Sequence, residues 1–235
     1  MRQSGVMKTI GLLGGMSWES TAEYYRLLNT LTRERLGGLH SAKIVLHSAD
    51  FAEIEQMQAE NRWDQAGQLL AEAGLALQSA GADCMLICAN TMHKVADEVA
   101  SAVSVPLLHL ADTVADAVLG QGLRRIGLLG TAFTMEQAFY KDRLARRGLE
   151  VLVPDDTGRE MVHRVIYEEL CRGIVRDESR QACQHVIDTL VTAGAEGVVL
   201  GCTEIELLVG PEHSPVPVFP TTRLHAEAAV DFALA

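Results

Sequence analysis

Two short polar runs, each just past an apolar stretch, hold the residues best suited to proton chemistry. Cys202-Thr203-Glu204 follows the apolar segment 197–200, and Ala89-Asn90-Thr91-Met92-His93 follows 84–88. A polar run that opens a helix or turn points its backbone N–H groups outward, which favours an anion such as a carboxylate. The same N–H groups are expected to lower the Cys202 thiol from its free value near about 8.5 and make it a usable base. The alternative for Cys202 is a buried structural thiol, since cysteine is often a core residue. Cys88 belongs to the apolar segment itself and points away from wherever Ala89 points, because alternate strand residues face opposite sides. It reads as core, and the pair Cys84 and Cys88 lacks the further ligands of a metal site.

The elements that must carry these runs alternate between short apolar stretches and longer amphipathic ones, the pattern of βαβ units and a parallel sheet. Strands are expected at 9–13, 43–47, 84–88, 106–108, 125–129, 150–153 and 197–200. Helices are expected at 18–36, 63–79, 92–100, 112–119, 135–146, 159–172, 178–193 and 224–234. Three landmarks then recur in one order at nearly constant offset. Ile10-Gly11-Leu12-Leu13-Gly14 returns as Ile126-Gly127-Leu128-Leu129-Gly130, Gly81-Ala82-Asp83 as Gly194-Ala195-Glu196, and Val105-Pro106 as Val216-Pro217. Two copies of one α/β unit follow, with domains at 1–105 plus 221–235 and at 106–220. In register, Ala89 and Cys202 occupy the same place in their copies. Parallel sheets bind ligands at the carboxyl ends of their strands, so both positions are expected to face a cleft between the domains.

Composition narrows the function further. With 48% hydrophobic and 22% charged residues the chain is a folded protein, and its net charge of −11 opposes the polyphosphate backbone of a nucleic acid. No apolar run approaches a membrane span, and the start of the chain lacks a secretory signal. Five scattered cysteines read as reduced thiols of a cytoplasmic protein. Gly11-Leu12-Leu13-Gly14-Gly15-Met16 lacks both the G-x-G-x-x-G spacing and a P-loop lysine, which argues against a nucleotide. A Cys202-centred hydrolase needs an oriented histidine; His93 follows the other strand, has no identified orienter, and reads as a helix N-terminal residue. Lys8, Lys43, Lys94 and Lys141 show no pyridoxal phosphate setting.

Gly11-Leu12-Leu13-Gly14-Gly15-Met16-Ser17-Trp18-Glu19-Ser20-Thr21, Cys88 through Asp97, Leu129-Gly130-Thr131 through Glu136, and Gly201-Cys202-Thr203-Glu204-Ile205 together resemble the aspartate/glutamate racemase family, over essentially the whole chain. The resemblance is nearest to bacterial racemases of L-aspartate and L-glutamate. It implies an amino-acid racemase without cofactor or metal, two pseudo-symmetric Rossmann-like domains with a cleft between them, and usually a homodimer. It also implies two opposed acid/base groups, one per domain, usually cysteines. Cys202 matches the second. The first position is Ala89, a departure, because alanine can neither donate nor accept a proton. By the same resemblance Met16, Gln58, Asn90, Thr91, Thr131, Thr203 and Glu204 bind substrate, Asn90 and Thr91 at the α-carboxylate and Glu204 at the ammonium. Helix capping is the alternative for each threonine and for Asn90. The lysine with which some relatives hold a side-chain carboxylate falls at Cys171 or Arg172. The resulting expectation is an aspartate/glutamate-type racemase acting through Cys202. Its alternatives are an amino-acid-binding protein that has lost the chemistry, or a related isomerase with another substrate.

Overall fold

The structure is a computed structural model that describes residues 6–235. The described chain divides into two compact units, one running to Leu110 and including His225–Ala235, the other Ala111–Leu224. The first holds β1 (Thr9–Gly14), α1 (Trp18–Leu36), β2 (Lys43–Ser48), α2 (Phe51–Ala59), α3 (Trp63–Ser79), β3 (Cys84–Ile87) and α4 (Ala96–Ala102). The second is built from α5 (Leu110–Gly120), β4 (Arg125–Gly130), α6 (Ala132–Glu136), α7 (Ala138–Arg146), β5 (Glu150–Leu152), α8 (Asp156–Glu168), α9 (Asp177–Thr192), β6 (Gly197–Gly201) and β7 (Val218–Pro220). The chain leaves the first unit at the start of α5 and re-enters it within α10 (Thr221–Leu234).

Each unit is an all-parallel sheet, ordered β2-β1-β3 in the first and β5-β4-β6-β7 in the second. Strands β1, β3, β4 and β6 are apolar and buried almost throughout, as strands covered on both faces must be. In the first unit Ile10 and Leu12 meet Tyr24, Leu27, Leu28 and Leu31 of α1 and Ala226, Ala229 and Val230 of α10. Burying one such leucine contributes about 1.5–3 kcal/mol. The second core joins Val198 and Leu200 of β6 to Val162 and Ile166 of α8 and to Cys183, Ile187 and Leu190 of α9.

The repeated sequence landmarks make the same joints in both sheets. Gly81 and Gly194 turn helix into strand with φ of 94° and 102°, values that side chains other than glycine rarely adopt. Two residues later Asp83 accepts from the Thr9 amide at 2.6 Å, while Glu196 accepts from the Arg124 and Arg125 amides at 2.7 and 2.9 Å. Pro106 and Pro217 each accept from the neighbouring strand, Met85 and Val198 donating at 2.9 Å.

The expected helices 18–36 and 63–79 match α1 and α3 end to end, whereas others are redrawn. The expected strand 106–108 reduces to a single bridge, Met85 to Leu107, because the chain turns into α5 at Leu110. The expected helix 92–100 becomes a 3-10 turn, Thr91–Val95, followed by α4. The expected helix 135–146 is broken at Gln137, whose ψ of 152° is extended. The expected helix 159–172 begins earlier, where Asp155 caps α8 by accepting from Gly158 N at 2.8 Å, and it closes as a separate 3-10 turn, Leu170–Arg172. Helix α2 and strand β7 were not expected. Among the described residues, no helix is long and apolar enough to cross a membrane.

Candidate functional site

In the second unit β4 and β6 pair through Gly130 and Gly201, so the segments leaving them, at Thr131 and Cys202, share one end of the sheet. Glycine is required at that exit: a Cβ on Gly130 would lie 2.8 Å from the Gly201 carbonyl oxygen. Cys202 sits immediately past β6 and is buried, with 8% of its surface exposed. Its Sγ–H donates to Oε2 of Glu204 across 2.9 Å, the two side chains meeting because the chain enters a 3-10 turn, Glu204–Leu207. Thr203 accepts from the Thr222 hydroxyl at 3.0 Å, and Glu206 from the Thr222 amide at 3.0 Å, which ties the turn to the first residues of α10.

This geometry overturns the expected direction of the Cys202 ionisation. Burial pushes the thiol well above its ordinary range, and the charge of Glu204 and the hydrogen bond to its carboxylate push the same way, with Cys171 adding to them. The Glu204 backbone N–H does act in the expected sense, and it is outweighed. Cys202 is therefore a protonated thiol beside an acceptor, a proton donor whose own base is already in place. Glu204, expected at a substrate ammonium, spends one carboxylate oxygen on the thiol.

Thr131 is buried and caps α6, its hydroxyl 3.4 Å from Thr134 N and 3.2 Å from the Thr134 hydroxyl. The next amide, Ala132 N, donates to Nδ1 of His163 at 3.2 Å. Neither His163 nor the nearness of Cys171 to Cys202 has a local signal in the sequence, since both come from α8 and the turn after it. A cavity of about 550 Å³ opens beside His163, yet Cys202 is not among its lining residues, and Arg159 there is already paired with Glu136 and Asp156.

In the first unit β1 and β3 pair through Leu13 and Ile87, so Met16, Asn90 and Thr91 likewise emerge at one end of a sheet. Strand β3 stops one residue before the expected end. Cys88 lies in the core with Ile10, Leu12 and Tyr24, and burial pushes its thiol far up, as the strand alternation requires. Ala89 presents only a methyl group. Its carbonyl is held by the ring of His93, Nδ1 to O at 2.8 Å, and Nε2 of the same ring accepts from Leu110 N at 3.2 Å. A carbonyl only accepts and an amide only donates, which assigns His93 the neutral Nδ1–H tautomer. His93 thus sits inside the 3-10 turn and braces it, which is more than a helix-start role.

Asn90 and Thr91 are both buried, and Asn90 precedes its 3-10 turn without making a side-chain cap. Met16 is buried after Gly15, whose amide donates to the Thr21 hydroxyl at 2.8 Å. Gln58 lies on α2, is 5% exposed, and donates from Nε2 to Sδ of Met92 at 3.0 Å. Its Oε1 is buried with no hydrogen-bond partner among the described residues, an acceptor that a bound N–H would satisfy. No group of three or more histidine, cysteine or acidic side chains among the described residues is arranged around a metal position.

Residues 13–229 match the model of the Asp/Glu/hydantoin racemase family. A solved structure from Yersinia pestis, described as a candidate Asp/Glu racemase, is 55% identical, with a TM-score of 0.92 over 97% of this chain and 100% of that one. An aspartate racemase homologue from Pyrococcus horikoshii OT3 is 35% identical, with a TM-score of 0.86 over 97% and 99%. The broad specificity amino-acid racemase RacX of Bacillus subtilis (strain 168) is 21% identical over 232 residues, 96% of this chain and 98% of that protein.

Proposed function

The chain belongs to the Asp/Glu/hydantoin racemase family, and on that premise we propose that it is an amino-acid racemase of the aspartate/glutamate type. In this reading it works without a cofactor by removing and returning the Cα proton. The observation that carries the proposal is the pair Cys202 and Glu204, thiol on carboxylate at 2.9 Å at the end of β6. A thiol kept protonated by burial and by a neighbouring carboxylate can deliver a proton to a carbanion. It can also take one back once its own proton has passed to Glu204. The buried Met16, Asn90, Thr91, Thr131 and Thr203, with the Gln58 amide, are the residues proposed to hold the substrate, L-aspartate or L-glutamate.

Racemisation needs proton transfer at both faces of Cα, and the position matching Cys202 in the first unit is Ala89. Loss of one acid/base group costs about 10²–10⁴ in rate, so the proposed enzyme exchanges the Cα proton faster than it inverts the centre. That same methyl group favours a second reading, an amino-acid-binding protein that retains the site and has lost turnover. The proposed setting is cytoplasmic, and the homodimer implied by the family resemblance is checked by light scattering.

The test is proton NMR of L- and D-aspartate and L- and D-glutamate in D₂O with the wild type, Ala89→Thr and Cys202→Ala. Exchange that requires Cys202 and speeds up in Ala89→Thr supports the racemase. Binding without exchange in any variant overturns it in favour of the binder.

A further inference from the structure

Cys171 is the one cysteine of the five that is not buried. It lies in the 3-10 turn Leu170–Arg172, and its side chain packs against the core cluster that contains Cys202. That turn also contacts the turn Glu204–Leu207, which begins two residues after Cys202. The two thiols thus lie in or just before two turns packed on each other, Cys171 half-buried and Cys202 buried and hydrogen-bonded to a carboxylate. A half-buried thiol near a buried one is the first of the two that an oxidant in solution reaches, and the second, with a base in place, can then close a disulfide with it.

We propose that Cys171 and Cys202 form such a pair, in which a peroxide oxidises Cys171 and Cys202 then closes a disulfide with it. In the first step the Cys171 thiolate attacks one peroxide oxygen. The O–O bond breaks, the departing oxygen takes the proton that the Cys171 thiol gave up and leaves as water or an alcohol, and Cys171 becomes a sulfenic acid. In the second step the Cys202 sulfur attacks the Cys171 sulfur, and the S–O bond breaks. The Cys202 proton passes through Glu204 to the departing hydroxide, which leaves as water. Two thiols and one peroxide give one disulfide, one water, and a second water or an alcohol, the peroxide being reduced by the two electrons the thiols give up. The nearness of Cys171 is registered independently in the ionisation of Cys202, which it opposes. Cys183 shares the same cluster but is fully buried on α9, where burial above all, with the charge of Glu169, holds its thiol up at about 12, so it is the poorer partner.

The expected loss of turnover rests on the reading of Cys202 as the proton carrier; the cross-link itself does not. The full chain is treated with hydrogen peroxide, alkylated, digested without reductant and mapped by mass spectrometry, alongside Cys171→Ser and Cys183→Ser. The expected result is a linked peptide joining Cys171 to Cys202. It forms equally in Cys183→Ser, is missing in Cys171→Ser, and disappears with dithiothreitol. Cα exchange is expected to fall in proportion to the linked fraction and to return on reduction. An alkylated or over-oxidised Cys202 in wild type, or a Cys202 joined to Cys183, overturns the pair. A linked peptide that leaves exchange intact supports the pair and counts instead against Cys202 as the proton carrier.

Discussion

The hydroxyl of Tyr24 donates to Nδ1 of His225 across 2.9 Å, although 201 residues of chain separate them. Nε2 of the same ring lies 2.7 Å from the Leu108 carbonyl, which can only accept, so the Nδ1 lone pair is left for Tyr24. Both side chains are fully buried, and the bond pins α10 to α1 inside the first unit. Tyr24→Phe strands a buried acceptor and is expected to cost about 1–3 kcal/mol, read as a lower urea midpoint at unchanged slope.

His225 also sets a pH dependence. Burial above all, with the neighbouring His93, takes its pKa from 6.5 down to about 3. Between these values the unfolded chain binds a proton that the folded chain refuses, so stability is lost as pH falls from 6.5 towards 3. Glu60 and Glu196, held below 4.5 by hydrogen bonds first of all, lose their contributions in the same direction as pH falls through the carboxylate range. Comparison with His225→Asn isolates the histidine. The stability gap between wild type and variant is expected to close as pH falls through that window, measured by urea titration at each pH.

Removing the charge beside Cys202 should separate its reactivity from its use. Glu204→Gln takes away the carboxylate charge and hydrogen bond that hold the thiol up, leaving burial as the main cause. Alkylation of Cys202 by iodoacetamide at neutral pH is expected to speed up. Cα exchange is expected to fall by about 10²-fold or more because the thiol has lost the acceptor for its proton. Exchange that survives at the wild-type rate removes Glu204 from the proton path.

Two glycines give opposite expectations. At Gly130 an added Cβ meets the Gly201 carbonyl at 2.8 Å, backbone against backbone in a sheet that cannot give way, so Gly130→Ala is expected to cost about 1–3 kcal/mol. Gly120 ends α5 in the open, with nothing within 4 Å of an added Cβ, so Gly120→Ala is expected to add about 0.4–1 kcal/mol by restricting the unfolded chain. Thermal melts of the two variants check both signs.

The fold was legible where the local pattern and the tertiary environment agree. In α1 the stripe Tyr24, Leu27, Leu28 and Leu31 is the buried face, Ser17 caps the start and Gly37 follows the end, so both boundaries follow from local rules. Helix α2 escaped because Phe51–Ala59 buries only Ile54 and Gln58, too little apolar periodicity to register. Strand β7 escaped because three residues ending in Pro220 are too short to show a strand period, and only pairing with β6 makes them a strand. At the site, sequence spacing located Cys202 at a strand end, and the strand alternation placed Cys88 in the core. The ionisation of Cys202 depends on which way the Glu204 carboxylate folds back and on how much of the second core covers the sulfur. Neither is written in the four residues around it. Cys171 shows the same limit from the other side, since its relation to Cys202 exists only once two turns are packed together.

The loop at Ala89 is secured through its main chain: the His93 ring grips the residue 89 carbonyl and takes the Leu110 amide on its other nitrogen. None of those bonds uses the side chain at 89. In the proposed racemase, the residue that would carry the chemistry in this half of the molecule is consequently interchangeable. A single codon can install a hydroxyl or a thiol, or blank the position with a methyl, while the bracket that presents it stays the same. The scaffold and the chemistry it hosts can therefore be inherited separately.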